Sequence, residues 1–401
     1  MKLITFQKPN KFHFIFLAYF VVIFIREIIN RVLKGSGNRK ADNFFILHVY
    51  IISHILSFIP FLISRHLSKK IEKSDTNKII KNYIENKIPK KYKWKNIVKP
   101  ILIVSLFGFF AEAPMYLVSI ISNVYDNMLY RLGVHSILNA VLIYIFGYCI
   151  LKIFFYKHHY LSFGINFICF LTSLIIDIIL LIKLKIHYFS YYIYITVRVL
   201  RLIFHCILYC FSKKEFESSL LTPYSIIAFR SIFEIIFLCA FSIPFAFILI
   251  KPYEKDEKEI LFIKFKYFLT GINLLYSIIL LILDYLIDLF IMIIIDKFST
   301  SHVALAITLE SFAEKLSQII EGNINVGNVS WDNYVNVALY FMVFIGAMIH
   351  NEIFIINKCG LNEKTQLYLS NEFNKENIDI EREMNFLSRC NSNEEESNET
   401  S

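Results

Sequence analysis

The chain has 401 residues, 56% of them hydrophobic and only 19% charged, with a mean hydropathy of +0.53. Soluble domains carry about a quarter charged residues, so this composition excludes an ordinary soluble domain. It predicts an all-α, polytopic membrane protein with room for about ten apolar spans of about 20 residues each. The formal net charge of +9 is read as cytosolic loops meeting anionic lipid headgroups, not as nucleic-acid binding.

Residues 1–11 read as a cytosolic N-terminus. Lys2, Lys8 and Lys11 precede an apolar run with no small-residue cleavage site, so the first span is expected to stay uncleaved. Spans one and two fall at about 12–33, with Arg26 and Glu27 near the far end, and about 44–64, with His48, His54 and Pro60. The segment 65–99 carries 12 Lys/Arg and reads as a basic cytosolic loop. Within it Ile71, Ile79, Ile80, Tyr83 and Ile84 fit a surface-lying amphipathic helix that Pro89 ends.

Span three is expected at about 100–123, with Glu112 near its middle, span four at about 133–155 and span five at about 159–182, with Asp177 late. Between the last two, Lys152 and the triplet Lys157-His158-His159 read as a tight cytosolic turn in contact with headgroups. The histidine pair reads as a turn and not as a metal site, and it lacks the extra carboxylates that would suggest an acyl-transferase or desaturase site. Span six, about 188–211, carries Arg198 and Arg201; a polar link, 212–222, follows. Span seven opens at Pro223, a favourable first-turn position, and runs to about 250 with Arg230 and Glu234. Span eight, about 261–295, is overlong and holds Asp284 and Asp288. Spans nine and ten lie at about 301–321, with Glu310, Glu314 and Lys315, and at about 332–356, with Glu352 near the end. The tail 358–401 holds 10 Asp/Glu against 5 Lys/Arg and is expected to be mostly disordered.

The basic loop 65–99 sets both termini in the cytosol after ten spans. Arg39, Lys40, Lys251, Lys255 and Lys258 then fall outside, against the rule. The sequon at Asn328 is expected to face a lumen and the one at Asn398 the cytosol.

Ionisable residues at membrane depth are costly, so each is a candidate for function. Arg198, Arg201, Arg230, Glu112, Glu234 and Glu310 form the expected substrate-binding set, and Asp284 and Asp288 a possible ion-coupling pair. Arg198 and Arg201 share a helix face, and guanidinium groups suit planar or phosphate anions. Arg230 and Glu234, four apart, are spaced to pair with each other. The isolated histidines His48, His54, His135 and His205 read as ordinary helix residues. The seven cysteines have no metal-ligand spacing, and Cys149, Cys169, Cys206, Cys210 and Cys239, which lie in apolar runs, read as buried thiols. There is no phosphate-binding glycine loop, nucleophile elbow or HExxH, so neither enzyme chemistry nor a cofactor is expected.

Three stretches resemble the drug/metabolite transporter superfamily, most closely its nucleotide-sugar transporter branch. They are SILNAVLIYIFGYCILK with FFYKHHYLSFGI, LLTPYSIIAFRSIFEIIF from Leu220, and DKFSTSHVALAITLESF from Asp296. In the first, Ser136, Lys152, Lys157-His158-His159 and Ser162 match the family's junction of fourth and fifth helices. The ending from Ile345 to Thr365 resembles those of protist members. The resemblance covers about 12–357 and implies two inverted five-helix repeats, about 12–182 and 188–357, with substrate near the midplane between them. It also implies that the fourth and ninth helices pair, bringing Glu310 and Glu314 towards the fourth. The chain departs from the family in its scarcity of glycine and lacks the lysine/glycine motifs of particular nucleotide-sugar carriers.

The resulting expectation is an alternating-access carrier of a small organic anion such as a nucleotide-sugar, in an endomembrane such as Golgi, ER or vesicle. The lipid bilayer and the anionic solute are its expected partners. The rival readings are a non-transporting membrane scaffold or receptor and a proton- or cation-coupled carrier of another metabolite.

Overall fold

A computed structural model of the chain describes residues 4–6, 14–35, 55–72, 98–111, 134–153, 155–184, 188–219, 222–237, 240, 271–325, 331–362 and 365. Among these the architecture is all-helical. The helices are α1 (Phe14–Gly35), α2 (Phe58–Glu72), α3 (Val98–Ala111), α4 (Val134–Leu151) and α5 (Lys157–Leu184). Then come α6 (Tyr188–Ser219), α7 (Pro223–Phe237), α8 (Gly271–Lys297), α9 (Thr300–Asn325) and α10 (Trp331–His350). Two short strands, β1 (Ile4–Phe6) and β2 (Phe354–Ile356), pair antiparallel, with Ile4 opposite Ile356.

The helices are inside out relative to a soluble bundle. On α5 the buried face carries Ser162, Asn166, Ser173 and Asp177, while Tyr160, Ile168, Ile175 and Ile182 are exposed, three of them by about two-thirds. On α1 the residues Phe14, Leu17, Val21, Ile25 and Ile28 form an exposed apolar stripe at helical spacing. Phe16, Tyr19 and Ile23 are buried on the other side. Such stripes are costly in water and are at home against lipid tails. Among the described residues three helical stretches are long and apolar enough to cross a membrane: Lys157–Lys183, Ile195–Glu217 and Leu274–Lys297. Shorter apolar helices are Val98–Ala111, Ile137–Leu151 and Tyr334–His350.

The ends of the helices follow local chemistry. At α7, Thr222 caps Pro223: Ser225 N–H donates to Thr222 Oγ1 at 3.3 Å, and Thr222 N–H donates back to Ser225 Oγ at 2.9 Å. At α5, Tyr156 is the N-cap; its carbonyl accepts from the N–H groups of His159 and Tyr160. Its own N–H donates to His159 Nδ1 at 2.9 Å, the reciprocal half of a capping box. At the end of α10, Ile353 N–H donates to Met348 C=O and Glu352 N–H to Ile349 C=O, a Schellman closure. Its left-handed position, normally glycine, is held by Glu352 at φ 58°. Lys152 ends α4 at φ 56° in the same region.

α1 packs on α8 and α9; α4 packs on α5, α6 and α9; α5 and α9 pack on α10; α7 packs on α2 and α8. The α5–α10 seam is close: Ser162 Oγ donates to Gly346 C=O at 2.6 Å, and any Cβ at Gly346 overlaps the Asn166 amide. A core of Tyr19, Ile137, Tyr144, Met292, Ile294 and Tyr340 joins α1, α4, α8 and α10.

The structure corrects several boundaries. Lys157-His158-His159 is the first turn of α5, and the connection is 152–156 instead. The capping box closes on His159, and Lys152 in the left-handed region stops α4 before residue 155. The expected link 212–222 is helical as far as Ser219, because Lys213 Nζ reaches the carbonyl of Phe298 at 2.9 Å and Glu217 at 3.5 Å. Helix α2 continues through Ile71 to Glu72, so Ile71 belongs to it and not to a separate surface helix. The basic stretch 73–97, the loop 251–259, both sequons and the tail from 366 lie outside the described residues.

Candidate functional site

Arg26 and Glu27 of α1, Arg230 and Glu234 of α7, Asp284 and Asp288 of α8 and Glu310 of α9 are linked in one charged layer, which the charge of Arg201 of α6 also reaches. On α7, Arg230 and Glu234 stand one turn apart and pair as their spacing predicts, Nε to Oε1 at 3.1 Å, with side chains 4% and 2% exposed. Arg230 Nη2 also reaches Asp288 Oδ2 of α8 at 3.5 Å. Ser105 of α3 donates to the Arg230 carbonyl at 3.3 Å. One turn before Asp288, Asp284 takes Arg26 Nε of α1 at 2.7 Å, and Arg26 Nη1 meets Glu27 at 3.0 Å. Helix α8 therefore hands one carboxylate to α1 and the next to α7.

Glu310 of α9 accepts from the Tyr19 hydroxyl of α1 at 3.4 Å. It also feels the charges of Arg26 and of Arg201 on α6. Arg198 and Arg201 of α6 are half-buried and one turn apart, and the charge of Arg201 reaches Glu310. The groups named here number four arginines and five carboxylates, and the arginines of α1 and α7 each hold two of the latter. A buried arginine with two carboxylates can release one of them to a proton or cation, or exchange one for an anionic solute, without being left unpaired.

Of the expected substrate-binding set, the structure thus brings together Arg230, Glu234, Arg201 and Glu310, and it connects the ion-coupling pair Asp284 and Asp288 to them. Glu112 lies outside the described residues, as do His48 and His54. Helix α4 packs on α9 as the family resemblance implies, yet the hydrogen-bond partner of Glu310 comes from α1. Tyr19, Arg26 and Glu27 were not among the expected site residues. Arg26 and Glu27 gave a signal, being charges inside an apolar run; Tyr19 gave none among 24 tyrosines.

Lys152, His158 and His159 stand apart from this layer, at the junction of α4 and α5. Lys152 is exposed, whereas His158 and His159 are buried. Their rings lie 4.0 Å apart by centroid; His159 is 4.5 Å from His350, which stacks on Tyr144 at 3.8 Å. Buried rings in this packing do not face headgroups, which corrects the expected role of the pair. The missing carboxylate is also present: His158 Nε2 lies 3.4 Å from Oε1 of Glu352, which is far away along the chain.

Comparison with known proteins adds no relative: no family model matches the chain, and no curated protein matches it.

Proposed function

We propose that the protein is a multi-pass membrane carrier of a small organic anion, working by alternating access. The observation that carries this reading is the charged layer, in which Arg26 meets Asp284 and Tyr19 meets Glu310 across helices from opposite ends of the chain. Charge at that depth among apolar helices is expensive and is retained where it binds or moves a solute. The packing pattern supports the two-repeat part of the reading. A shift of five helices turns the α1–α9 contact into the α6–α4 contact, and both pairs pack. The same shift exchanges α4–α5 for α9–α10. Two halves that embrace each other's helices are the arrangement of carriers that rock around a central site.

In this reading Arg198, Arg201 and Arg230 meet the anion, and Glu234 and Glu310 hold the arginines in orientation when the site is empty. The two carboxylates held by each of Arg26 and Arg230 favour a coupled form of the same carrier, with Asp284 and Asp288 exchanging a proton or cation as the anion moves. An endomembrane is the proposed location, with the bilayer and the solute as partners and no enzymatic step. The test is uptake by the purified protein in liposomes, screened against pooled labelled nucleotides, nucleotide-sugars and phosphates. Saturable uptake that falls at least about tenfold in Arg198→Ala and Arg230→Ala supports the proposal. Absence of saturable uptake, or uptake unchanged in both variants, refutes it. Stimulation by an imposed pH gradient that disappears in Asp288→Asn assigns the coupling to that carboxylate.

A further inference from the structure

The start of α5 and the end of α10 bring together side chains that the carrier reading does not use. Ligand atoms of His158, His159 and Glu352 all lie within 4.8 Å of one another. His158 is 4% exposed, and neither of its ring nitrogens has a hydrogen-bond partner. A buried polar atom without a partner is a standing cost of about 1–3 kcal/mol; Nδ1 is such an atom, and Nε2 has the Glu352 carboxylate at 3.4 Å as an ion-pair contact without a hydrogen bond. Glu352 adds a second anomaly. It occupies a left-handed position that favours glycine, and the residue found there carries a carboxylate that lies against His158.

The spacing suits a metal. Ligands about 2.0–2.1 Å from a tetrahedral zinc ion lie about 3.3–3.4 Å from each other. The separation of His158 Nε2 and Glu352 Oε1 is 3.4 Å. Two imidazoles and one carboxylate suit a borderline first-row divalent ion and leave a fourth position open. Leu161, Ile349, Phe354 and Ile355 line the small pocket beside the pair and give it an apolar shell.

We propose that His158, His159 and Glu352 form a zinc-type divalent-metal site that fastens the first turn of α5 to the end of α10. His158 and Glu352 are positioned to bind first. His159 joins at a local cost: its Nδ1 accepts the Tyr156 N–H, so Nε2 carries the ring proton. Coordination through Nε2 moves that proton to Nδ1, ends the ring's hydrogen bond to the His350 backbone and releases the Tyr156 N–H from the cap, with no net change in protons. The bound ion then replaces the cap as the tie at this end of α5, beyond the Ser162–Gly346 hydrogen bond.

The test uses the full chain purified in detergent, stripped with a chelator and then equilibrated with zinc or with magnesium. We expect one zinc per chain by elemental analysis after desalting, and a rise in melting temperature with zinc but not with magnesium. Glu352→Gly is the decisive variant, because glycine relieves the left-handed backbone. It is expected to melt higher than the original chain without metal, and to lose the zinc-dependent rise along with at least about tenfold in zinc affinity. His158→Gln is expected to lose the same response. Failure of the original chain to take up zinc overturns the proposal. So does zinc binding that is unchanged in Glu352→Gly, which would assign the metal to other groups such as the exposed thiols of Cys149 and Cys359.

Discussion

Replacing Gly108 with alanine is expected to destabilise the protein, against the helix-forming tendency of the two residues. Gly108 is buried in α3, and a Cβ there overlaps Glu234 Oε1 and stands 2.9 Å from Glu234 Cδ. Propensity alone favours alanine by about 1 kcal/mol in a helix interior. Overpacking opposes it by about 1–3 kcal/mol. The displaced carboxylate also loosens its hold on Arg230, in a pair 4% and 2% exposed. Stripping a buried charge of its partner costs about 3–5 kcal/mol. Arg230 keeps Asp288 at 3.5 Å, so only part of that cost applies. We take that part as about 2 kcal/mol, which gives a net loss of about 2–4 kcal/mol. Equilibrium unfolding in mixed micelles titrated with sodium dodecyl sulfate measures it. The control is the same substitution in a Glu234→Ala background, where the added methyl group meets no carboxylate and is expected to be neutral or stabilising. The reasoning fails if Gly108→Ala is more stable than the original chain, or if alanine costs the same in both backgrounds.

Asn351→Ala is expected to cost about 2–3 kcal/mol in the same assay. Its buried amide accepts from Ser301 Oγ at 2.7 Å and donates to the carbonyls of Ala347 and Ser301, tying α10 to α9. Lys152→Gly is expected to stabilise by about 1 kcal/mol, because glycine takes the left-handed end of α4 without steric conflict. Asp284→Asn leaves Arg26 with Glu27 as its ion-pair partner; both Arg26 and Asp284 are about a quarter exposed, so the expected loss is about 1–2 kcal/mol. Under the carrier reading that variant also slows liposome uptake, whereas unchanged uptake removes Asp284 from the coupling step.

Local pattern carried the helices and failed at distance. The i,i+4 spacing of Arg230 and Glu234 was enough to expect their pair, because a helix repeats every 3.6 residues. The same periodicity says nothing of how α1 faces α8, so the Arg26–Asp284 contact could not be read from it. His158-His159 looked like a turn because two polar residues beside a lysine, between apolar runs, break the hydrophobic period. The capping role of His159, which puts the triplet inside α5, depends on a backbone N–H that composition does not reveal. Glu352 was visible as a charge near the end of span ten, but its position opposite His158 depends on α5 and α10 packing side by side. The inside-out character of α5 was partly legible, since Ser162, Asn166 and Ser173 recur at helical spacing among apolar residues.

The ladder between β1 and β2 has a consequence for counting. Thr5 faces Ile355 across backbone hydrogen bonds, one strand lying before α1 and the other after α10. Such a ladder cannot be divided by a sheet of hydrocarbon, so Phe6 and Phe354 lie on one side of any bilayer the chain enters. The passages between them must then be even in number, whichever helices make them. An odd assignment for the interval between Phe6 and Phe354 is ruled out by parity before any helix is examined for length or hydrophobicity.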